Sequence, residues 1–129
     1  MSTYKKKDAC FTRLSHDIQD TPAWLFIAQS GAVPLLLDMW RRHNGHNNGQ
    51  IPYSQREAEH RFGCSPKRAV RWFHDLQEAG FIVATYPGSF NHKTGERRAR
   101  RWRLTMERCG SNPATRDYLR FATIGGLHG

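Results

Sequence analysis

The chain has no apolar run long enough to cross a bilayer. Near its start Lys5, Lys6 and Lys7 are followed by no apolar stretch of the signal-peptide kind. These two absences lead to the expectation of a cytoplasmic protein. Cysteine is scarce, and Cys10, Cys64 and Cys109 are odd in number and unevenly spaced. That excludes a disulfide framework and fits reduced thiols. Acidic residues are also few, 11 against 20 Lys and Arg, so the 129 residues carry a net charge of +9. Such an excess points to an anionic partner, nucleic acid first and an acidic membrane surface second.

Chemistry-bearing patterns are equally sparse. There is no pair of carboxylates, no nucleophile elbow and no metal-ligand spacing. His43 and His46 border a turn-rich loop, residues 44–49, with no Cys, Asp or Glu beside them. The loop lacks the Lys-Ser/Thr end that a phosphate-binding glycine loop needs. His60 and Cys64 are four apart across a helix end, where Cys64 reads as a small core residue. The expectation is no enzyme, no metal and no cofactor. No repeat is visible, and the length suits one domain.

What the chain does contain is centred on residues 65–80. Ser65 is a good N-cap, Pro66 suits the first helical position, and Gly80 suits the end. Ala69, Trp72, Phe73, Leu76 and Ala79 recur at threes and fours and share one face. Lys67, Arg71, His74 and Glu78 share the opposite face, with Arg68 on its flank. Lys67 and Arg68 stand at the positive end of the helix dipole, and Asp75 and Glu78 towards its negative end. Each exposed placement of that kind costs roughly 0.3–1 kcal/mol. Cations at a helix start suit a major-groove reader, whose leading residues contact base edges.

Upstream, residues 1–20 read as an N-terminal arm in which Phe11, Leu14 and Ile18 pack on the body as a short strand or turn. Thr21-Pro22 opens a short apolar helix, residues 23–29. Ser30 is the expected N-cap of a second helix to about residue 43, with Pro34 in its first turn and Val33, Leu36, Leu37 and Trp40 on its buried face. Residues 50–53 suit a very short strand. Ser54 and Glu57 match a capping box for a helix over residues 55–62, and Gly63-Cys64 separates that helix from the next.

After Gly80 the period changes to strand. Residues 81–86 and 99–106 pair as a hairpin, with Trp102, Leu104 and Met106 inward and Arg101 and Arg103 outward. Lys93, Arg97, Arg98 and Arg100 sit in and beside its loop, opposed by Glu96. Beyond residue 106 a short tail follows, in which residues 116–121 form one helical turn and Tyr118, Leu119 and Phe121 seek cover.

Two helices with a tight turn, then a hairpin with a basic loop, define a winged helix-turn-helix arrangement. Residues 56–82 resemble bacterial winged-helix transcription regulators, including the GntR and MarR groups. Arg56-Glu57, Phe62-Gly63-Cys64-Ser65, Val70-Arg71, Leu76 and Gly80-Phe81-Ile82 carry the likeness. The chain departs from that pattern at Glu59, where such regulators usually have a small residue. Either the helix crossing is more open, or Glu59 tilts its carboxylate out. The apolar front helices and the Asn-Asn-Gly loop are also similar to small phage- or plasmid-associated winged-helix proteins.

The resulting expectation is an α+β, mainly α fold, with a three-helix core plus β-hairpin wing over residues 21–106, an extra N-terminal helix and a C-terminal tail, 107–129. The resemblance implies sequence-selective binding of double-stranded DNA by a small bacterial transcriptional regulator, with Ser54, Ser65, Lys67, Arg68, Arg71, His74, Lys93, Arg97, Arg98 and Arg100 as DNA-binding residues. A homodimer is the expected assembly, with candidate surfaces around residues 24–27 or around Tyr118 and Phe121. No membrane partner and no small-molecule effector are expected. The rival expectations are a module that binds a host protein and a replication or partition accessory factor.

Overall fold

Proline and glycine cut the chain into its elements. The computed structural model describes residues 10–121; Lys5 to Lys7 and the last eight residues lie outside them. The first element, α1 (His16–Gln19), is one turn capped by Ser15, a helix where a strand or turn was expected. Leu14 and Ile18 pack on the core, whereas Phe11 stays 74% exposed.

Helix α2 (Pro22–Ser30) begins as expected, with Thr21 Oγ1 accepting from the Trp24 N–H at 3.1 Å. It ends at Gly31, which is left-handed. Helix α3 (Val33–Arg41) starts from Ala32 without a side-chain cap. Ser30 is therefore not an N-cap: it closes α2, and its hydroxyl donates to the Ile27 carbonyl. Pro34 in the first turn of α3 lacks one of the N–H groups a cap would serve. The two helices meet at 106°. Leu35, Leu36, Met39 and Trp40 form the buried stripe of α3. Val33 and Leu37, expected in it, are only half-buried, so the stripe is offset along the helix. No described helix is long and apolar enough to cross a membrane.

Strand β1 (Ile51–Pro52) leads into α4 (Gln55–Phe62). Both halves of the capping box form, Ser54 Oγ accepting from the Glu57 N–H and Glu57 Oε1 from the Ser54 N–H. Gly63 ends α4, and Ser65 caps α5 (Pro66–Ala79) by accepting from the Arg68 N–H at 3.1 Å. Three residues thus separate the helices. Ala58, fully buried in the core cluster, is the small residue of α4 there. Glu59 is turned outward and accepts from Gln55 Nε2 at 2.8 Å, so the second of the two alternatives holds.

On α5, Ala69, Phe73, Leu76 and Ala79 are buried as the periodicity requires. Trp72 is only half-buried. It packs edge-on against Phe62 at 5.7 Å, over the end of α4. Asp75 is buried in its place along the helix.

Strands β2 (Ile82–Tyr86) and β5 (Arg101–Leu104) form the hairpin, and β1 pairs with the other edge of β5. The antiparallel order is β1-β5-β2, with Ile51 opposite Trp102 and Ile82 opposite Leu104. Further out, β3 (Ser89–Phe90) pairs with β4 (Arg97–Arg98). The last strand stops at Leu104, short of the expected residue 106. Thr105 is fully buried and holds the end of α5, its N–H donating to the Phe81 carbonyl and its hydroxyl to the Gly80 carbonyl. Met106 is half-buried.

One cluster joins α2, α3, α5 and the sheet, with Phe73 stacked on Trp102 at 5.3 Å. The segment after residue 106 returns to it. A 3-10 turn, Asp117–Arg120, sets Tyr118 against Phe81 at 5.0 Å, and Phe121 meets Phe26 at 5.0 Å. Leu119, expected to find cover, remains 60% exposed. The protein is thus α+β and mainly helical, with small antiparallel sheets.

Candidate nucleic-acid interface

Because β2 begins two residues after Gly80, the hairpin rises beside α5. A groove of about 990 Å³ lies between them. Helix α4 and its cap contribute Ser54, Arg56 and Glu59 to its wall. Helix α5 contributes Pro66, Val70 and His74, and the hairpin contributes Phe90, Arg97, Arg98 and Arg100.

Five of the expected DNA-binding residues therefore converge on one concavity: Ser54, His74, Arg97, Arg98 and Arg100. Lys67 and Arg71 do not line it. They are exposed on the outer flank of α5, one turn from each other. Arg68 is exposed on the same first turns, and Ser65 caps the helix. Lys93 is exposed at the hairpin tip.

The hairpin holds its cations in place. The guanidinium of Arg97 lies over Phe90, that of Arg100 over Trp102 at 5.4 Å, and that of Arg101 over Tyr86 at 5.3 Å. Such stacking fixes a planar cation without neutralising it. At the tip, Asn91 Oδ1 accepts from the Lys93 and Thr94 N–H groups, which folds the loop. Among the described residues Arg98 is ion-paired, with Glu96 at 3.4 Å, but no carboxylate reaches Lys67, Arg68, Arg71, Arg97 or Arg100. Lys67, Arg68 and Arg71 on α5, and Arg97 and Arg100 on the hairpin, are thus cations without a carboxylate partner among the described residues.

Ser54 has less to offer than its position implies. Its N–H is taken by Glu57, whose other oxygen pairs with Arg42 at 2.9 Å. Only its hydroxyl hydrogen is left for an outside acceptor. Arg42 also lies over the Tyr53 ring at 4.0 Å, and the Tyr53 hydroxyl donates to Asp38 Oδ2 at 2.5 Å. Burial and the Asp38 carboxylate push the Tyr53 phenol well above its ordinary pKa. This network ties α3, β1 and α4 together behind the groove.

Among the described residues, His74, Asp75 and Glu78 bring three metal-type ligand atoms within 4.8 Å. His74 Nδ1 is 3.7 Å from each carboxylate. All three come from a little over one turn of α5, and His74 and Glu78 are largely exposed. The spacing is that of an ordinary helical side-chain pair. Cys64 is half-buried, with Sγ 3.9 Å from the Ala58 carbonyl.

Arg56, Val70 and Phe90 belong to the groove but were not foreseen as site residues. A signal for Val70 existed: it falls outside the 69, 72, 73, 76, 79 stripe. Phe90 and Arg56 had none beyond proximity to the loop and the cap. Comparison of the chain with protein-family profiles, with characterised proteins and with solved structures finds no match.

Proposed function

We propose that the chain is a winged-helix protein that binds double-stranded DNA and acts as a small transcriptional regulator. The observation that carries this reading is the set of unpaired cations shared by α5 and the hairpin, in a chain of net charge +9. Helix α5 lies in the major groove, with Lys67, Arg68 and Arg71 on base edges and flanking phosphates. Arginine offers guanine a bidentate contact there. The hairpin, through Lys93, Arg97 and Arg98, follows the adjacent backbone or minor groove. Ser54 and Ser65, at two helix starts, meet phosphate oxygens. The protein works in the cytoplasm as a homodimer on half-sites about one helical turn apart. Leu25 and Leu119, 56% and 60% exposed, supply apolar surface for that contact.

The test is fluorescence anisotropy with a random duplex over a salt series. With about six phosphates neutralised, the log–log slope is near −5. A protein that binds no duplex at low salt overturns the reading, and leaves an acidic protein as the partner that suits these cations. Light scattering that finds only a monomer, with and without DNA, overturns the dimer.

A further inference from the structure

Val70 is the apolar residue of α5 that the core leaves out. Ala69, Phe73, Leu76 and Ala79 are buried, whereas Val70 is 51% exposed and lines the groove together with Phe90. Helix stability does not account for it, since valine is a poorer helix former than Lys, Glu or Ala. Single exposed apolar residues are common on protein surfaces. Val70 differs by its setting: Lys67 and His74 are its neighbours at three before and four after on the helix, and Phe90 shares its groove.

We propose that Val70 reads thymine through the C5-methyl group. This rests on the DNA-binding reading and adds a base to it. In the major groove the thymine methyl is the apolar feature of the base edges, and an apolar side chain is what distinguishes it. A β-branched side chain in a helix keeps essentially one χ1 rotamer, so the methyls of Val70 are pre-aimed and lose little freedom on contact. The flanking cations hold the helix on phosphates while Val70 touches the base.

The experiment replaces methyl groups one at a time. A preferred duplex is selected from random sequence with the whole protein, and each thymine is then exchanged singly for uracil, which keeps pairing and loses only the methyl. At one thymine per half-site, the wild type loses about fourfold in affinity, the worth of one methyl withdrawn from water. Val70→Ala shows no difference between the thymine and uracil duplexes there. Val70→Ile keeps the discrimination. Thermal melting of both variants checks that they fold. Full methyl discrimination by Val70→Ala, or none by the wild type at any thymine, overturns the inference alone. Absence of salt-dependent binding to any duplex overturns the DNA reading as well.

Discussion

The guanidinium carbon of Arg97 lies 4.7 Å from the ring centre of Phe90, its register partner across β3 and β4. His92 meets the same ring edge-on at 4.6 Å. Phe90 therefore acts as a platform that keeps a charged fork at a fixed height above the hairpin.

Removing the platform and removing the charge have different signatures. Phe90→Ala is expected to weaken duplex binding about 2- to 5-fold, the worth of an exposed cation–π contact of roughly 0.5–1 kcal/mol. Its salt slope stays at the wild-type value, because Arg97 is still present. Arg97→Ala reduces the magnitude of the slope by about 1. Anisotropy titrations at four or five salt concentrations separate the two. An unchanged slope in Arg97→Ala refutes its role on phosphate.

Two helix-ending glycines differ sharply in what a side chain would meet. At Gly80, with φ +91, a Cβ would come within 2.8 Å of the Asp117 carbonyl and the Tyr118 nitrogen. At Gly63, with φ +60, it meets nothing within 4 Å. Gly63→Ala is expected to cost about 1–2 kcal/mol, the conformational penalty alone. Gly80→Ala adds displacement of a backbone segment and the loss of the Phe81–Tyr118 stack, for a total of about 3–5 kcal/mol. Urea midpoints of the two variants give the comparison, and equal losses would mean that the 117–118 segment does not rest on Gly80 in solution.

The features legible in the sequence are those with local causes. Caps at Thr21, Ser54 and Ser65, stops at Gly63 and Gly80, and the change of period after Gly80 all act within one turn of chain. They locate α4, α5 and the hairpin, and so bring His74, Arg97, Arg98 and Arg100 together. Features set by distant partners were not legible. Asn48 reads as one more loop asparagine, yet it is buried and donates to the carbonyls of Leu104, Glu107 and Arg108. Its Oδ1 accepts from the Leu104 N–H at 2.7 Å. No local pattern announces a partner more than fifty residues away. The same holds for Tyr118 on Phe81, and for Trp72, whose place over Phe62 depends on how α4 ends.

Stability is expected to fall at high pH through the buried tyrosines. The phenols of Tyr53 and Tyr118 titrate above the ordinary value of 10.0 in the folded protein, chiefly because burial disfavours the phenolate. Asp38 reinforces this at Tyr53. A raised folded pKa means that above pH 10 the unfolded chain has lost a proton that the folded chain retains, so stability declines with rising pH from there. Well below pH 10, where both states keep their protons, neither phenol contributes a slope. Tyr53→Phe removes one of the two, so its urea midpoint should fall less steeply between pH 10 and 11.5 than that of the wild type. Identical slopes would mean that Tyr53 ionises as freely in the fold as outside it.

Arg68 and Arg71 stand three apart on α5, both exposed and neighbours on its surface, and replacing each in turn separates reading from holding. Arg68 leads the helix, its N–H held by Ser65 at 3.1 Å, which fixes the direction from which its side chain departs. Leading positions of a recognition helix reach base edges. Arg68→Ala is expected to cost roughly 1–3 kcal/mol on the selected duplex and to relax the choice of base at one position. Arg71, beside the Val70 and His74 side, should behave likewise if it reads a base, or weaken all duplexes equally if it holds phosphate. Arg103 is the charge-matched control, since it lies on β5 rather than α5 and its Nη1 donates to Thr115 Oγ1 at 2.8 Å. Repeating the random-duplex selection with each variant gives the answer position by position. A loss for Arg68→Ala that is equal on every sequence would assign Arg68 to the backbone, and a comparable loss for Arg103→Ala would mean that net charge alone governs binding.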